Sequence, residues 1–246
     1  MLMTDRNAAN DRQTVAADDD ASADVARRLS RITEQIRSAA RAAGRSPQAI
    51  TLVAVSKKIP LARVSAAISA GHVDFGESRA QELTRKAQEL GKGVRWHFVG
   101  RLQRNKVADV AGVASLIHSV DRIELAEAIA DRARAEGRVQ RVLLQVNTAA
   151  DPDKAGVAPE QALATIANVR ELPGIACEGL MTIPKLSEDP RPAFAALRSL
   201  RDEARAQFPE VQHLSMGMTA DVDVAVAEGA TIVRVGEGVF GPREST

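Results

Sequence analysis

Two adjacent lysines, Lys57 and Lys58, follow Ser56 at the end of a short apolar run over residues 51–55. A run of this length and composition is typical of a strand that is buried on both faces. Loss of hydration lowers the pKa of a lysine and makes the neutral amine available to attack a carbonyl carbon, which prepares it to form a Schiff base. The alternative is a structural lysine that pairs with a nearby carboxylate such as Glu77. The position of the two lysines leaves both interpretations open.

The alternation of side chains along a strand separates the two lysines. Val53, Val55 and Lys57 fall on one face, and Lys58 falls on the other. Bulky branched residues fill the interior of a parallel barrel. The pattern therefore predicts that Lys57 points into the mouth of a barrel and that Lys58 points towards the helices and solvent.

Two glycine-containing stretches near the C-terminus have the composition of phosphate-binding loops. "LSMGMTAD" carries Ser215, Gly217 and Thr219, and we predict that Thr219 caps the helix that follows. "VRVGEG" carries the cation Arg234 and Gly236, whose missing side chain lets backbone amides approach an anion. A Schiff-base lysine and a phosphate site in one barrel indicate either pyridoxal 5′-phosphate or the sugar-phosphate substrate of a lysine-dependent aldolase.

Short apolar runs alternate with Ala-, Arg- and Glu-rich helical segments over most of the chain. We predict eight strands, near residues 51–55, 73–75, 96–99, 115–118, 141–146, 175–180, 212–215 and 231–235. Eight βα repeats are typical of an α/β protein with a single closed, TIM-like (β/α)8 barrel. An open doubly wound sheet is the competing architecture, but no G-x-G-x-x-G fingerprint follows the first strand. In a barrel, chemistry lies where the strands end, and the lysines and both loops stand there.

The N-terminal part of the chain divides at about residue 24. Residues 1–23 are polar and acidic without an apolar period, so we predict a disordered extension there. From Ser22 onward a helical period predicts an amphipathic helix that Gly44 ends. Its apolar positions are Val25, Leu29, Ile32 and Ile36. Residues 24–246 are predicted to form the barrel domain.

The bulk composition argues against several classes of partner. Lys and Arg number 33 and Asp and Glu 32, so a net charge of +1 gives no reason to expect nucleic acid or an acidic membrane as a partner. We see no secretory signal and no stretch long enough to cross a bilayer. The single cysteine, Cys177, excludes an internal disulfide and fits a buried hydrophobe. We predict a cytoplasmic protein.

The motifs together resemble those of the pyridoxal phosphate homeostasis protein family (the YggS/PROSC family), over about residues 24 to 243. In chain order they read "LVAVSKKIP", "DFGESRAQE", "WHFVGRLQRNK", "HSVDR", "QVN" followed by "DKAG", "GLMTIP", "LSMGMTAD" and "VRVGEGVFG". No single motif is specific, but the ordered set is. The resemblance implies a barrel similar to the N-terminal barrel domain of alanine racemase.

The resemblance also implies a cofactor and its ligands. The family's cofactor lysine directly follows Val-Ser, which corresponds to Lys57, and pyridoxal 5′-phosphate would be held there as a Schiff base. Phosphate contacts would fall on Ser215, Thr219 and Gly236, with Gly217 in the same loop and Arg234 near the phosphate or the ring nitrogen. The implied function is to buffer pyridoxal 5′-phosphate or deliver it to apo-enzymes that use it, as a monomer, with no catalytic residue and no metal site.

Several positions depart from the family pattern. Members often carry a second lysine two positions after the first, where this chain has Ile59. Ser78 and Arg79 replace an asparagine and an aromatic residue after "FGE". Arg101 and Arg104 add positive charge in "GRLQRNK". The roles of the replaced side chains therefore do not transfer to this chain.

An amino-acid racemase of the alanine racemase type is the alternative to a carrier, and an aldolase is a third hypothesis. Alanine racemase uses a tyrosine opposite its cofactor lysine, and this chain contains no tyrosine. His97 or His213 would have to supply the second acid or base, although each has the pattern of a hydrogen-bonded core residue. The missing tyrosine favours the carrier.

Overall fold

The eight predicted strands form a closed barrel of parallel strands in the order of the chain. The computed structural model describes residues 4–149, 151–185 and 188–242, and for residues 4–20 it describes the backbone alone. The barrel closes because β1 pairs with both β2 and β8. The strands are β1 (Thr51–Val55), β2 (Asp74–Glu77), β3 (Arg95–Phe98), β4 (Leu116–Val120), β5 (Gln140–Gln145), β6 (Ile175–Met181), β7 (His213–Ser215) and β8 (Ile232–Val235). The predicted (β/α)8 barrel is confirmed, and the open sheet is excluded.

Helices surround the barrel, because each strand is followed by at least one helix. They are α1 (Thr4–Ala42), α2 (Leu61–Ser69), α3 (Ala80–Leu90), α4 (Val107–Val110), α5 (Ile123–Ala135), α6 (Ala162–Arg170), α7 (Arg191–Gln207), α8 (Val222–Ala227) and α9 (Glu237–Phe240). Short 3-10 turns precede β1, α4 and α6. No described helix combines the length and the apolar character that a membrane crossing needs.

Helix α1 packs on α2, α8 and α9 and so covers the side of the barrel where β8 meets β1. Its predicted apolar positions are all buried, at Val25, Leu29, Ile32 and Ile36. The helix begins at Thr4, earlier than the predicted start at Ser22 and inside the segment predicted to be disordered. The division into an extension over 1–23 and a barrel domain over 24–246 stays a prediction.

The barrel interior holds a small apolar cluster that is separate from the larger core between the sheet and the helices. It comprises Val53, Leu116, Leu143, Met181 and Ile232 from five strands. Gly76 makes room for it, because a β-carbon there would lie 2.9 Å from Cγ1 of Val53. Val53 therefore faces the barrel interior, as the alternation of side chains along β1 predicts.

Candidate functional site

Lys57 lies in a tight turn directly after β1. The N–H of Ile59 donates to the carbonyl of Ser56 at 2.9 Å, which closes the turn over residues 56–59. Lys58 has φ of 60°, a left-handed conformation that is uncommon for a lysine, and its backbone N–H donates to Oε2 of Glu82 at 2.9 Å. A carboxylate from α3 therefore fixes the backbone beside Lys57. Lys58 is exposed, as predicted.

A buried ion pair anchors the start of this turn. Lys86 of α3 and Glu77 at the end of β2 both have fully buried side chains, and Nζ lies 2.6 Å from Oε1. Lys86 also donates to the carbonyl oxygen of Ser56 at 2.6 Å, and the Ser56 hydroxyl donates to Glu77 at 2.7 Å. Burial raises the pKa of Glu77, and the Lys86 ammonium opposes that rise. The residue before Lys57 is thus held through both its backbone and its side chain.

This pairing bears on the structural interpretation of Lys57. The carboxylate proposed as a structural partner for Lys57, Glu77, is bonded to Lys86 and Ser56 instead. Within the described ranges Lys57 forms no salt bridge, although its side chain is half-buried. An amine that is half-buried, unpaired and mounted on a fixed turn is suited to react with a carbonyl compound that enters the barrel mouth.

The loops after β7 and β8 lie against each other, and the loop after β8 also lies against the end of β1. The carbonyl of Gly217 accepts the N–H of Arg234 at 2.9 Å, and the Thr219 hydroxyl accepts the N–H of Gly238 at 3.2 Å. A β-carbon on Gly236 would lie 3.3 Å from the carbonyl oxygen of Val55. The structure thus brings the two predicted phosphate loops together and places the second of them next to β1, which Lys57 follows.

The predicted capping role of Thr219 is wrong. Helix α8 begins at Val222, so the capping position belongs to Asp221, whose carboxylate accepts the N–H of Met218. Thr219 stands earlier, and its hydroxyl connects the two loops instead of capping a helix. It is therefore a loop residue, and its predicted contact with phosphate stays a prediction.

Gly217 allows the seventh loop its shape, which predicts a measurable cost for a side chain there. Its φ is 93°, and an added β-carbon would lie 2.4 Å from that of Ala225. We expect Gly217→Ala to lower the free energy of unfolding by about 3 kcal/mol, from backbone strain and overpacking together. Chemical denaturation measures this loss.

Gly44 offers a matched control for that substitution. It has φ of 66° with nothing within 4 Å of an added β-carbon, so Gly44→Ala isolates the cost of the left-handed backbone. We expect that cost to be about 1 kcal/mol. Equal losses of stability in the two variants would show that the close contact with Ala225 adds no cost to the Gly217→Ala substitution.

Arg234 is the buried cation of the site. Its guanidinium donates to the Ser215 hydroxyl at 2.6 Å and to the carbonyl oxygen of Thr182 at 2.9 Å. Register pairing sets it beside Val53, on the interior face of the barrel. Burial lowers the pKa of Arg234 to about 10, so the side chain remains a cation at neutral pH. Ser215 is fully buried beside it.

Ser215 connects Arg234 to two buried histidines. His118 Nδ1 lies 2.8 Å from the Ser215 hydroxyl, and its Nε2 lies 2.9 Å from Nδ1 of His97. His97 Nε2 lies 3.2 Å from Asp74, at the amino end of β2. We call this series the polar chain; its members are Arg234, Ser215, His118, His97 and Asp74. Burial holds the pKa of His118 well below its usual value, so its ring is neutral.

The sequence patterns singled out Lys57 and both loops, but they did not indicate the buried Lys86 and His118 or the partly buried Glu82. Lysine is rarely buried, so Lys86 in "AQELTRKAQEL" is typical of a solvated helix face. Its spacing of three from Leu83 was the available signal, since Leu83 is fully buried. His118 lies two residues after Leu116 on β4. Because side chains alternate along a strand, His118 shares the face of Leu116, which points into the barrel interior.

The described residues fit a small aldehyde that also carries an anionic group. Lys57 offers an unpaired amine, and the turn that carries it is fixed by hydrogen bonds at Ser56 and Lys58. Arg234 is a buried cation beneath the last two loops. Gly236 keeps its loop free of side-chain atoms next to β1. Amine, cation and open loops meet at the carboxyl end of the barrel, where barrel enzymes and binding proteins hold ligands.

Comparison with known proteins gives a family match over most of the chain. The family model for the alanine racemase N-terminal domain matches residues 28–244. The pyridoxal phosphate homeostasis protein of Aquifex aeolicus is 43% identical over 222 residues, which cover 88% of this chain and 97% of that protein. The Escherichia coli K12 protein of the same name is 37% identical over 228 residues, 90% of this chain and 97% of its own length.

Solved structures agree with this match. PipY from Synechococcus elongatus, determined with pyridoxal 5′-phosphate bound, superposes with a TM-score of 0.79 at 36% identity, covering 88% of this chain and all of PipY. An alanine racemase from Clostridium difficile has a TM-score of 0.66 at 17% identity and covers 80% of this chain and 52% of its own, a likeness of fold alone. The chain belongs to the pyridoxal phosphate homeostasis protein family.

Proposed function

We propose that this protein binds pyridoxal 5′-phosphate through a Schiff base on Lys57 and serves as a reservoir of the cofactor rather than as an enzyme. The observation that carries the proposal is the unpaired amine of Lys57 on a turn that Lys86 and Glu82 hold in place. Pyridoxal 5′-phosphate supplies the aldehyde for that amine and an anion for the neighbouring loops. The bound cofactor in PipY supports the proposal.

The proposed contacts follow the geometry of the two loops. Gly217, Thr219 and Gly236 belong to the two adjacent loops, and in the proposed complex their backbone amides and one hydroxyl surround the phosphate. Arg234 supplies the positive charge for the phosphate or for the pyridine ring. Ser215 belongs to the same set, and its hydroxyl is shared with Arg234 and His118.

The choice between carrier and racemase depends on a second acid or base. Racemisation needs a proton acceptor on one face of the substrate carbon and a donor on the other. The chain has no tyrosine. His97 is buried in the polar chain, and His213 at the start of β7 faces Thr231 and Glu178, with Nδ1 3.3 Å from the Thr231 hydroxyl. This arrangement favours a carrier.

Delivery to apo-enzymes, in the cytoplasm and by a monomeric carrier, completes the proposal. The loops that follow β1 to β4 carry many cations and one carboxylate, Asp121. The cations are Lys57, Lys58, Arg79, Arg101, Arg104, Lys106 and Arg122. A cavity of about 300 Å³ opens among Arg79, Arg101 and Lys106. A positive rim next to the cofactor lysine attracts an acidic protein surface and speeds its encounter. The single Cys177 is fully buried and unpaired, which is compatible with a reducing compartment.

One experiment tests retention, delivery and catalysis together. The protein is loaded with pyridoxal 5′-phosphate, freed of excess cofactor and mixed either with a panel of single-enantiomer amino acids or with an acidic apo-aminotransferase. We expect no racemisation and a recovery of aminotransferase activity that slows as salt is added, because salt screens surface charges. Robust racemisation would make the protein an enzyme, and a protein that retains no cofactor would refute the proposal.

A charge-reversal pair separates the rim from the cofactor site. Arg101→Glu with Arg104→Glu changes two exposed arginines on the rim, and we expect slower delivery with unchanged retention. Lys92→Glu with Arg205→Glu makes the same charge change at the opposite end of the barrel, because Lys92 lies just beyond α3 and Arg205 lies in the last turn of α7. Equal delivery by the two double variants would show that the rim takes no part in it.

A further inference from the structure

The polar chain has a fixed acceptor at one end. Arg95 donates to both carboxylate oxygens of Asp74, at 2.7 and 2.6 Å, and the hydrogen bonds from Arg95 and His97 hold the pKa of Asp74 well below its usual value despite partial burial. Asp74 is therefore ionised and can only accept hydrogen bonds. The ring nitrogen that faces it, Nε2 of His97, must carry a hydrogen.

That hydrogen fixes the direction of every other bond in the chain. In neutral His97 the second nitrogen, Nδ1, is bare and accepts, so Nε2 of His118 must donate to it. Neutral His118 then has a bare Nδ1, which accepts the hydroxyl hydrogen of Ser215. The Ser215 oxygen in turn accepts from Arg234. All the hydrogens point from Arg234 towards Asp74, and each ring nitrogen of His97 and His118 has a partner.

If His97 carries a second proton, two of these hydrogen bonds reverse their direction, the one between His97 and His118 and the one between His118 and Ser215. Nδ1 of His97 would then donate, so Nε2 of His118 would have to accept and its ring hydrogen would lie on Nδ1. His118 would donate to the Ser215 oxygen, and the Ser215 hydroxyl hydrogen would be free to bond elsewhere. The change takes up one proton from solvent, moves the ring hydrogen of His118 from Nε2 to Nδ1, and leaves Arg234 bonded to Ser215.

We propose that His118 and His97 are positioning residues that hold Arg234 and Ser215 for the cofactor, and that the charge of His97 decides whether the Ser215 hydroxyl points into the chain or towards the cofactor. This proposal rests on the proposed role of Arg234 in the cofactor site. The polar chain extends from Asp74, which Arg95 contacts at the amino ends of β2 and β3, to Arg234 near the opposite end of the barrel. Beyond the chain, the titratable and charged groups that face the two rings are Arg95, His72 and His213.

The direction of the chain can be observed in the ligand-free protein. Nitrogen-15 NMR of the histidine rings distinguishes bare from protonated nitrogens at each position. At neutral pH we expect hydrogen on Nε2 and a bare Nδ1 for both His97 and His118. In acid, once both ring nitrogens of His97 carry hydrogen, we expect the His118 hydrogen to appear on Nδ1. Hydrogen on Nδ1 of His118 at neutral pH, a His97 ring that gains no second hydrogen in acid, or a His118 tautomer that does not change when it does, would overturn the proposal.

Substitutions at position 118 separate positioning from packing. His118→Phe fills the space but cannot accept from Ser215, so we expect about 10-fold weaker binding of pyridoxal 5′-phosphate, equivalent to about 1.4 kcal/mol. His118→Asn packs less well but has an amide oxygen that can accept where Nδ1 does. We therefore expect His118→Asn to bind the cofactor more tightly than His118→Phe although it is less stable. The opposite order would mean that His118 acts only by packing.

His213→Phe is the matched control, since His213 lies on the same strand as Ser215 and forms no hydrogen bond to the chain. We expect it to leave cofactor affinity unchanged, and a loss equal to that of His118→Phe would contradict a specific role of the chain. A wild-type protein that binds no pyridoxal 5′-phosphate would instead refute the proposed function. The ring nitrogens would still test the direction of the chain in that case.

Discussion

The Lys57→Ala variant is expected to form no Schiff base and to stay colourless when pyridoxal 5′-phosphate is added at concentrations that saturate the wild type. No other described lysine stands on the turn except Lys58, which is exposed with its backbone held in the left-handed region by Glu82. The loops around Gly217 and Gly236 remain in the variant, so it keeps a weak, non-covalent affinity for the phosphate. Titration followed by the visible absorption spectrum measures both effects.

Lys58→Ala is the matched control for this prediction. It removes the neighbouring amine but leaves the backbone N–H that donates to Glu82. We expect its visible spectrum and its retention of cofactor to equal those of the wild type. A coloured Lys57→Ala protein together with a colourless Lys58→Ala protein would show that Lys58, and not Lys57, holds the cofactor.

Lys86→Met is expected to lower the free energy of unfolding by about 3–5 kcal/mol, because removing one partner leaves a buried charge unpaired. Glu77 and Ser56 both lose a hydrogen-bond donor in this variant. The turn that carries Lys57 loses its anchor, so we also expect weaker retention of pyridoxal 5′-phosphate. Chemical denaturation measures the first effect, and the visible spectrum after gel filtration measures the second.

The loss in Lys86→Met should depend on pH. Burial already raises the pKa of Glu77, and without the Lys86 ammonium the pKa of Glu77 rises further. A carboxyl whose pKa is higher in the folded state than in the unfolded state loses stability as pH rises through the folded value. The variant should therefore be destabilised less at about pH 5 than at about pH 8.

Two controls accompany the Lys86 prediction. Lys92→Met removes an exposed lysine just beyond α3 and should change stability by no more than about 0.5 kcal/mol. Lys86→Met combined with Glu77→Gln removes the buried charge as well and should recover part of the lost stability. A double variant that is as unstable as the sum of the two single variants would show that the pair does not interact as the structure indicates.

The sequence predicted the parts of the molecule that follow local rules. Each strand was visible because a short apolar run between helical segments is the pattern of a parallel sheet with both faces covered. Val53 lies in the interior, as the alternation of side chains along β1 requires. Lys57 stood out because a charge at the end of such a strand is unusual. These features depend on a few neighbouring residues and can be inferred without three-dimensional information.

The remaining features depend on contacts between distant segments. The separation between Lys86 and Ser56 is 30 residues, and that between His118 and Ser215 is 97. Nothing local indicates that the hydroxyl of Thr219 reaches the amide of Gly238 rather than capping its own helix. Thr182 contributes a backbone carbonyl to Arg234, which any residue could supply. Such contacts are set by how the barrel closes, so a single sequence does not reveal them.

Reductive trapping shows which lysine forms the Schiff base with the cofactor. The wild-type protein is loaded with pyridoxal 5′-phosphate and treated with borohydride, which converts a Schiff base into a stable secondary amine, and its peptides are then sequenced by mass spectrometry. We expect the pyridoxyl phosphate mass on Lys57 and an unmodified Lys58. Modification of Lys58, of Lys86 or of no lysine would contradict it.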